Sequence, residues 1–272
     1  MIMLQSIRKS FRVAKRKPGA KAAFQSLFHR EYDTVDALDG ISFTIPDGEI
    51  VGYIGPNGAG KSTSIKVMSG ILVPDGGTCT VAGLTPWTER KKLASRIGVV
   101  FGQRTQLWWD VPIADSFDLL RDIYRVPQDE YSKTRDRLVD ALDIGPFIDT
   151  PLRQVSLGQR MRAELAASLL HSPDILFLDE PTIGLDAVSK LAVRQFIRAI
   201  NAERGVTVLL TTHDMNDIEA LTDRVVLIGK GHILYDGSMG MIKRRFKDNN
   251  GYQDENSHIE EIVAAFYKDH GL

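Results

Sequence analysis

Residues 55–63 read GPNGAGKST, the densest concentration of chemistry-bearing types in the chain. A β-type run, EIVGYIG (49–55), leads into it, and SIKVMSGIL, which suits a helix, leads out. Glycines in such a turn let backbone N–H groups curl around phosphate oxygens, and the helix N-terminus adds the positive end of its dipole. The pattern predicts a nucleotide-phosphate loop built from Gly55, Asn57, Gly58, Gly60, Lys61, Ser62 and Thr63. Lys61 should reach the β- and γ-phosphates, and Ser62 should ligate Mg²⁺.

A second constellation, ILFLDEP (175–181), is an apolar strand that ends in two acids. Two buried carboxylates without a cation are costly, so Mg²⁺ is the expected resolution. Asp179 should hold the metal and Glu180 should polarise a water for attack on the γ-phosphate. His213 ends the strand-like run LLTTHD, where the C-terminal end of a neighbouring parallel strand faces the same crevice; its expected role is to touch the γ-phosphate and orient Glu180. Gln103, just past RIGVVFG (96–102), is expected to sense the metal and the attacking water. VSLGQR (155–160) places Ser156, Gly158 and Gln159 ahead of a helical run, Met161–Leu170, and makes a second anion cradle about a hundred residues after the first.

These groups need a scaffold, and short β-type runs alternating with longer helical ones supply one: a parallel sheet with crossover helices. Runs 49–55, 96–102, 174–180 and 206–213 read as strands, and 224–237 reads as a hairpin around Gly229-Lys230-Gly231. Val193, Phe196, Ile197 and Ile200 form one apolar helical stripe. Residues 105–155 lose the β character and read as helices, clearest in IADSFDLLRDIYRV and SKTRDRLVDALDI. FKDNNGYQDENSH (246–258) reads as a polar linker before a short helix carrying Ile259, Ile262, Val263 and Phe266.

Composition bounds the rest. At 272 residues and 43% hydrophobic the chain can bury a full core without staples. Lys+Arg 34 against Asp+Glu 35 leaves a formal charge of −1, which argues against nucleic acid as a partner. The single cysteine, Cys79, rules out an intrachain disulfide framework. The N-terminus lacks the apolar core of a signal peptide and no apolar stretch of about 18 residues appears, so a cytoplasmic chain is expected.

Taken in order, GPNGAGKST, FGQ, VSLGQR, ILFLDEP, GLD and TTHD resemble the motifs of ATP-binding subunits of ABC transporters, over about residues 1–237. The resemblance implies an α/β fold: a P-loop NTPase core with a mostly parallel sheet, an N-terminal antiparallel β-subdomain and an inserted helical subdomain (105–160), with 238–272 as a C-terminal linker and short helix. It implies ATP and Mg²⁺ as cofactors. It also implies a second nucleotide-binding subunit, so that Ser156, Gly158 and Gln159 meet the γ-phosphate held by the other chain's Lys61, with Asp186 of GLD making contact across the dimer. The chain departs from the family's LSGGQ at Val155 and Leu157. Phe11 aligns with the aromatic that stacks on adenine; Tyr32 has comparable spacing, and Phe11 is preferred.

An insertion at 12–34 carries Arg12, Lys15, Arg16, Lys17 and Lys21, then Ala20, Phe24, Leu27 and Phe28 at helical spacing. A basic amphipathic helix suits a membrane surface or a partner helix. It is similar to the helix near the membrane in polysaccharide exporters, while FGQRTQLWWDVP with SLGQRMRAELAASLLHSP is similar to exporters of drugs and other amphiphiles. Trp108 and Trp109 fall where the family receives its membrane subunit. The expectation is therefore an ATP-hydrolysing subunit at the cytoplasmic face of the cell membrane, driving separate permease subunits in an exporter. Alternatives are an importer subunit and a soluble ABC ATPase acting on ribosomes or nucleic acid.

Overall fold

The computed structural model describes residues 1–14, 32–102, 104–242, 244, 263–264, 266–268 and 271. The expectations placed on Gln103, on Lys15–Phe28, on the 246–258 linker and on Ile259 and Ile262 lie outside these residues.

Five of the expected runs form a six-stranded sheet. In chain order its strands are β3 (Ile50–Ile54), β5 (Ile97–Phe101), β6 (Ile175–Asp179), β7 (Thr207–Thr211), β8 (Arg224–Gly229) and β9 (His232–Ser238), arranged β5-β6-β7-β3-β8-β9. All pairings are parallel except the β8–β9 hairpin. A separate antiparallel sheet joins β2 (Tyr32–Ile45), β1 (Ile2–Ala14) and β4 (Gly76–Val81) in that order. The β1 and β2 arms continue into the region read as an insertion, pairing Arg12 with Thr34 and Ala14 with Tyr32.

Strand periodicity sorts the large sheet's side chains into two cores. Leu176, Leu178, Val208, Leu210, Val225 and Leu227 join one buried cluster with the helices, while Ile175, Phe177, Leu209, Val226 and Ile228 join another with the small sheet. Apolar residues on both faces explain why these strands read as continuous apolar runs. On the small-sheet side lies α1 (Lys61–Met68), which buries Ser64, Ile65, Val67 and Met68 and whose Ser64 Oγ meets Tyr53 Oη at 2.9 Å. A short α2 (Arg90–Ala94) precedes β5.

Between β5 and β6 the chain is helical, as expected: α3 (Ile113–Tyr124), α4 (Gln128–Ala141) and α5 (Leu157–Leu169). Helix α4 starts four residues before SKTRDRLVDALDI, because Pro127 sets an extended turn and Asp129 and Glu130 suit the first helical turn. The apolar stripe around Val193 lies on α6 (Ala187–Arg204), capped by Asp186, whose carboxylate accepts from Ser189 N at 2.9 Å, and closed by Gly205. β7 ends at Thr211, so His213 lies in the turn before α7 (Met215–Leu221) rather than on the strand. Val263 is buried in the helical core, and Tyr267 Oη donates to the carbonyl of Ile54 at 3.0 Å.

One buried carboxylate ties three of these pieces together. Asp217, fully buried on α7, accepts from Arg194 Nε of α6 at 2.5 Å, from Thr212 Oγ1 at 3.1 Å and from Thr182 Oγ1 just past β6. Removing the carboxylate leaves Arg194 with only a longer pairing, to Asp214 at 3.6 Å, and breaking such a buried set costs about 3–5 kcal/mol. Asp217→Leu should therefore lower the denaturant midpoint by an amount corresponding to about 3–5 kcal/mol at unchanged slope. A shift of less than about 1 kcal/mol would show that Arg194 finds water instead.

Candidate functional site

The phosphate loop joins β3 to α1. Gly60, at φ 113, has its α-carbon so close to β2 that a Cβ would stand 2.5 Å from the Ala37 carbonyl oxygen, so only glycine fits. Lys61 follows at the helix N-terminus and is 6% exposed; its Nζ donates to the carbonyl of Gly55 at 2.5 Å and of Pro56 at 3.2 Å. Burial pulls its pKa down, and Glu180 and Asp179 pull it back up. The carbonyls and carboxylates thus do for the ammonium what water cannot reach to do.

Register brings the acids to this loop. Phe101, Asp179 and Thr211 are neighbours across β5, β6 and β7 at the C-terminal ends of the strands. Thr211 Oγ1 donates to Asp179 at 2.7 Å and accepts from Glu180 N at 3.1 Å, and the Thr211 carbonyl also accepts from Glu180 N at 3.0 Å. Glu180 itself sits at φ 56, a left-handed conformation uncommon for a non-glycine residue. Its Oε1 lies 2.9 Å from His213 Nε2. The strain and the paired imidazole fix the direction of one carboxylate, a combination that clusters at functional sites.

Two cavities meet at Glu180. One of about 160 Å³ is lined by Ala37, the loop residues 57–63 and Glu180. The other, about 310 Å³, is lined by Ser62, Lys66, Phe101, Gly102, Arg104, Asp179 and Glu180, among others. The structure thus brings together Asn57, Gly58, Gly60, Lys61, Ser62, Thr63, Asp179, Glu180 and His213. Among the described residues no cluster of three or more His, Cys, Asp or Glu is arranged to hold a metal. The Ser62 hydroxyl and the Asp179 carboxylate are hard oxygen donors that suit Mg²⁺, which characteristically completes its shell with phosphate and water oxygens. Thr211 and Arg104 were not expected here. Thr211 had a signal, a hydroxyl residue at a strand end beside His213; Arg104 had none beyond following Gln103.

Ser156, Gly158, Gln159 and Asp186 form a separate group and are not among the lining residues of either cavity. Ser156 caps α5 and accepts from Gln159 N at 3.2 Å, while Gln159 Oε1 accepts from Ser156 N at 2.8 Å, so side chain and backbone lock reciprocally. A Cβ on Gly158 would stand 2.5 Å from Ser189 Oγ, so a side chain there would displace Ser189. Ser189 donates both its backbone N–H and its hydroxyl to Asp186, and these bonds hold the Asp186 pKa down. Leu157 is 42% exposed beside this group.

Phe11 and Tyr32 both lie on the β1–β2 ribbon, exposed. Phe11 pairs with Val35, three residues from Tyr32, so strand alternation puts the two rings on opposite faces. Trp108 and Trp109 lie off any strand, both partly exposed, with Arg160 over the Trp109 ring at 5.7 Å from its centroid.

Comparison with known proteins gives the family and the fold. A family model described as ABC transporter matches residues 38–183. The chain is 36% identical over 221 residues to the daunorubicin/doxorubicin resistance ATP-binding protein DrrA of Streptomyces peucetius, covering 80% of this chain and 66% of that protein. It is 32% identical over 212 residues to the ABC transporter ATP-binding protein NatA of Bacillus subtilis (strain 168), covering 78% of this chain and 86% of NatA. Among solved structures, the dimeric MJ0796, a bacterial ABC transporter cassette, superposes with a TM-score of 0.73 at 25% identity, covering 88% of this chain and 99% of the other.

The Lys61 geometry makes a direct expectation. Charged hydrogen bonds are worth about 1.5–3 kcal/mol, so Lys61→Ala should weaken binding of a fluorescent nucleoside triphosphate by roughly tenfold or more. The circular dichroism spectrum should be unchanged. Equal affinity in the variant would remove Lys61 from the phosphate site.

Proposed function

The chain belongs to the ABC transporter family of ATP-binding domains, and from that premise we propose that it hydrolyses ATP to drive separate membrane permease subunits. The observation that carries the reading is Glu180, shared between the two cavities and paired with His213 at 2.9 Å. A carboxylate so placed serves as the general base. It accepts a proton from water as the water oxygen bonds to the γ-phosphorus and the bond to the β–γ bridging oxygen breaks, leaving ADP and phosphate. His213 keeps the carboxylate aimed. Lys61 exchanges its bonds to the loop carbonyls for β- and γ-phosphate oxygens, and Gly55 to Thr63 cradle the rest through backbone N–H groups. Ser62 and Asp179, with Gln103, would hold Mg²⁺, which would supply charge neutralisation on the phosphates.

The second cradle completes the site from another chain. Ser156, Gly158 and Gln159 meet the γ-phosphate bound at the partner's Lys61, and Asp186 carries contact across the dimer. Two facts support this reading: these residues stand apart from the cavity of their own chain, and a relative of matching fold is a dimer. Phe11, rather than Tyr32, stacks on adenine; only one of them can, since they face opposite ways. The transporter is an exporter of amphiphilic solutes, in keeping with the drug-resistance name of the DrrA relative. The chain sits at the cytoplasmic face of the cell membrane, with 12–34 as a further contact.

Glu180→Gln removes the base and keeps the binding groups, so turnover should fall by roughly 10²–10⁴ while ATP stays bound. Phosphate release against nucleotide retention checks this, and turnover within a few-fold of wild type would take the role from Glu180. In the same Glu180→Gln chain, ATP should drive a monomer-to-dimer shift in sedimentation. Adding Ser156→Arg should abolish the dimer and leave ATP affinity per chain unchanged. Lost affinity instead would place Ser156 in its own chain's site.

A further inference from the structure

The segment that follows Gln103 is fastened to the helix that begins at Ser156, and the fastener is a buried acid. Glu164 is 3% exposed, on the face of α5 that also buries Met161 and Leu165. One carboxylate oxygen accepts from Thr105 Oγ1, and the other accepts from Gln106 N at 3.2 Å. The Glu164 carbonyl accepts from Gln106 Nε2, also at 3.2 Å. Thr105 Oγ1 in turn accepts from Leu107 N at 3.0 Å. Four residues earlier on the same helix Arg160 covers Trp109, and ahead of the helix Arg153 N donates to the Trp109 carbonyl at 3.1 Å. Arg153 also pairs with Asp110 at 3.3 Å. Residues 105–110 are thus gripped along their length by residues 153–164, and Arg104, directly ahead of them, lines the cavity shared with Asp179 and Glu180.

An acid is a poor choice if stability were the only demand. Burial raises the Glu164 pKa, the sign of a carboxylate that has lost water, and an apolar replacement of a buried charge is often neutral or stabilising. What the carboxylate does that an apolar group cannot is accept from a hydroxyl and an adjacent backbone N–H at once, which fixes the height and angle of the segment against the helix.

We propose that Glu164 is a positioning residue that sets the segment after Gln103 relative to the Ser156 end of α5, so that a nucleotide at one site is felt at the other. The inference rests on the nucleotide roles given above to Gln103 and Ser156. The path is short: cavity, Arg104, Thr105 and Gln106, Glu164, then α5 to its cap. No group on it touches the reacting atoms.

The test uses the full-length chain with ATP. Glu164→Gln keeps the volume but turns a donor toward the Thr105 hydroxyl or the Gln106 N–H. It should lower kcat about tenfold or more, with KM for ATP changed less than about twofold, because a misplaced group slows the chemical step more than it weakens binding. Thr105→Val should do the same and Thr105→Ser should restore wild-type turnover. Amide exchange at Gln106 and Leu107 should quicken about tenfold or more in Glu164→Gln and not in β6, a readout independent of turnover. Wild-type kcat and wild-type exchange in Glu164→Gln would overturn the proposal. So would a loss of kcat that only tracks a lowered melting temperature. A wild-type chain that binds no ATP would instead sink the functional reading, while the exchange measurement would still decide whether Glu164 holds the segment.

Discussion

The structure turns on keeping one buried ammonium charged. Lys61 has surrendered most of its water to the loop between β3 and α1, and a lone cation there would lose its proton or pull the loop open. Two loop carbonyls accept from it and the field of the acids at the end of β6 favours its charged form, while Asp179 is held by Thr211 and Glu180 by His213. The sheet order sets these groups side by side. β3, which leads into the lysine, and β6, which ends in the acids, are separated only by β7, and β7 contributes Thr211 to both the Asp179 side chain and the Glu180 backbone. A phosphate group entering between them would meet a pre-set field of fixed dipoles and charges, which costs no reorganisation when the reaction occurs.

A second layer of buried polar contacts keeps that field from drifting. Asp217 gathers Arg194, Thr182 and Thr212, so the turn bearing His213, the turn after β6 and helix α6 share one anchor. Helix α6 begins at Asp186, whose carboxylate holds Ser189 against Gly158. The turn bearing His213 and the Ser156 end of α5 are therefore joined through α6, although Ser156 and Gly158 line neither cavity. Glu164 supplies the other join, from α5 to the segment beside the larger cavity.

Much of this is legible in the sequence. The glycine spacing around Lys61, the acids closing an apolar strand and the stripe on α6 each encode their local structure directly, because strand and helix periods are set by backbone geometry. The Thr105–Glu164 contact was not legible, since its partners lie 59 residues apart and neither residue type is unusual in isolation. One clue was present: an acid on the buried side of a helix, in MRAELAASLL, breaks the apolar pattern and demands a partner. β7 ends two residues before His213 for a similar reason, because the end of β7 depends on where its neighbours stop pairing.

From the sequence alone came the family's phosphate loop, the acids at a strand end and the Ser156–Gln159 cap as candidates for the chemistry, together with the alternation of strands and helices that must carry them. Local spacing determines these, for a helix N-terminus or a strand end is built from consecutive residues. Tertiary structure decided which of those groups converge. It put Glu180 against His213 on the cavity that Lys61 lines, set Ser156 and Gly158 apart beside Asp186 and Ser189, and turned Phe11 and Tyr32 to opposite faces. The reason is physical: convergence depends on register between strands distant in sequence and on which buried charges can satisfy one another, and neither is written in any single run of residues.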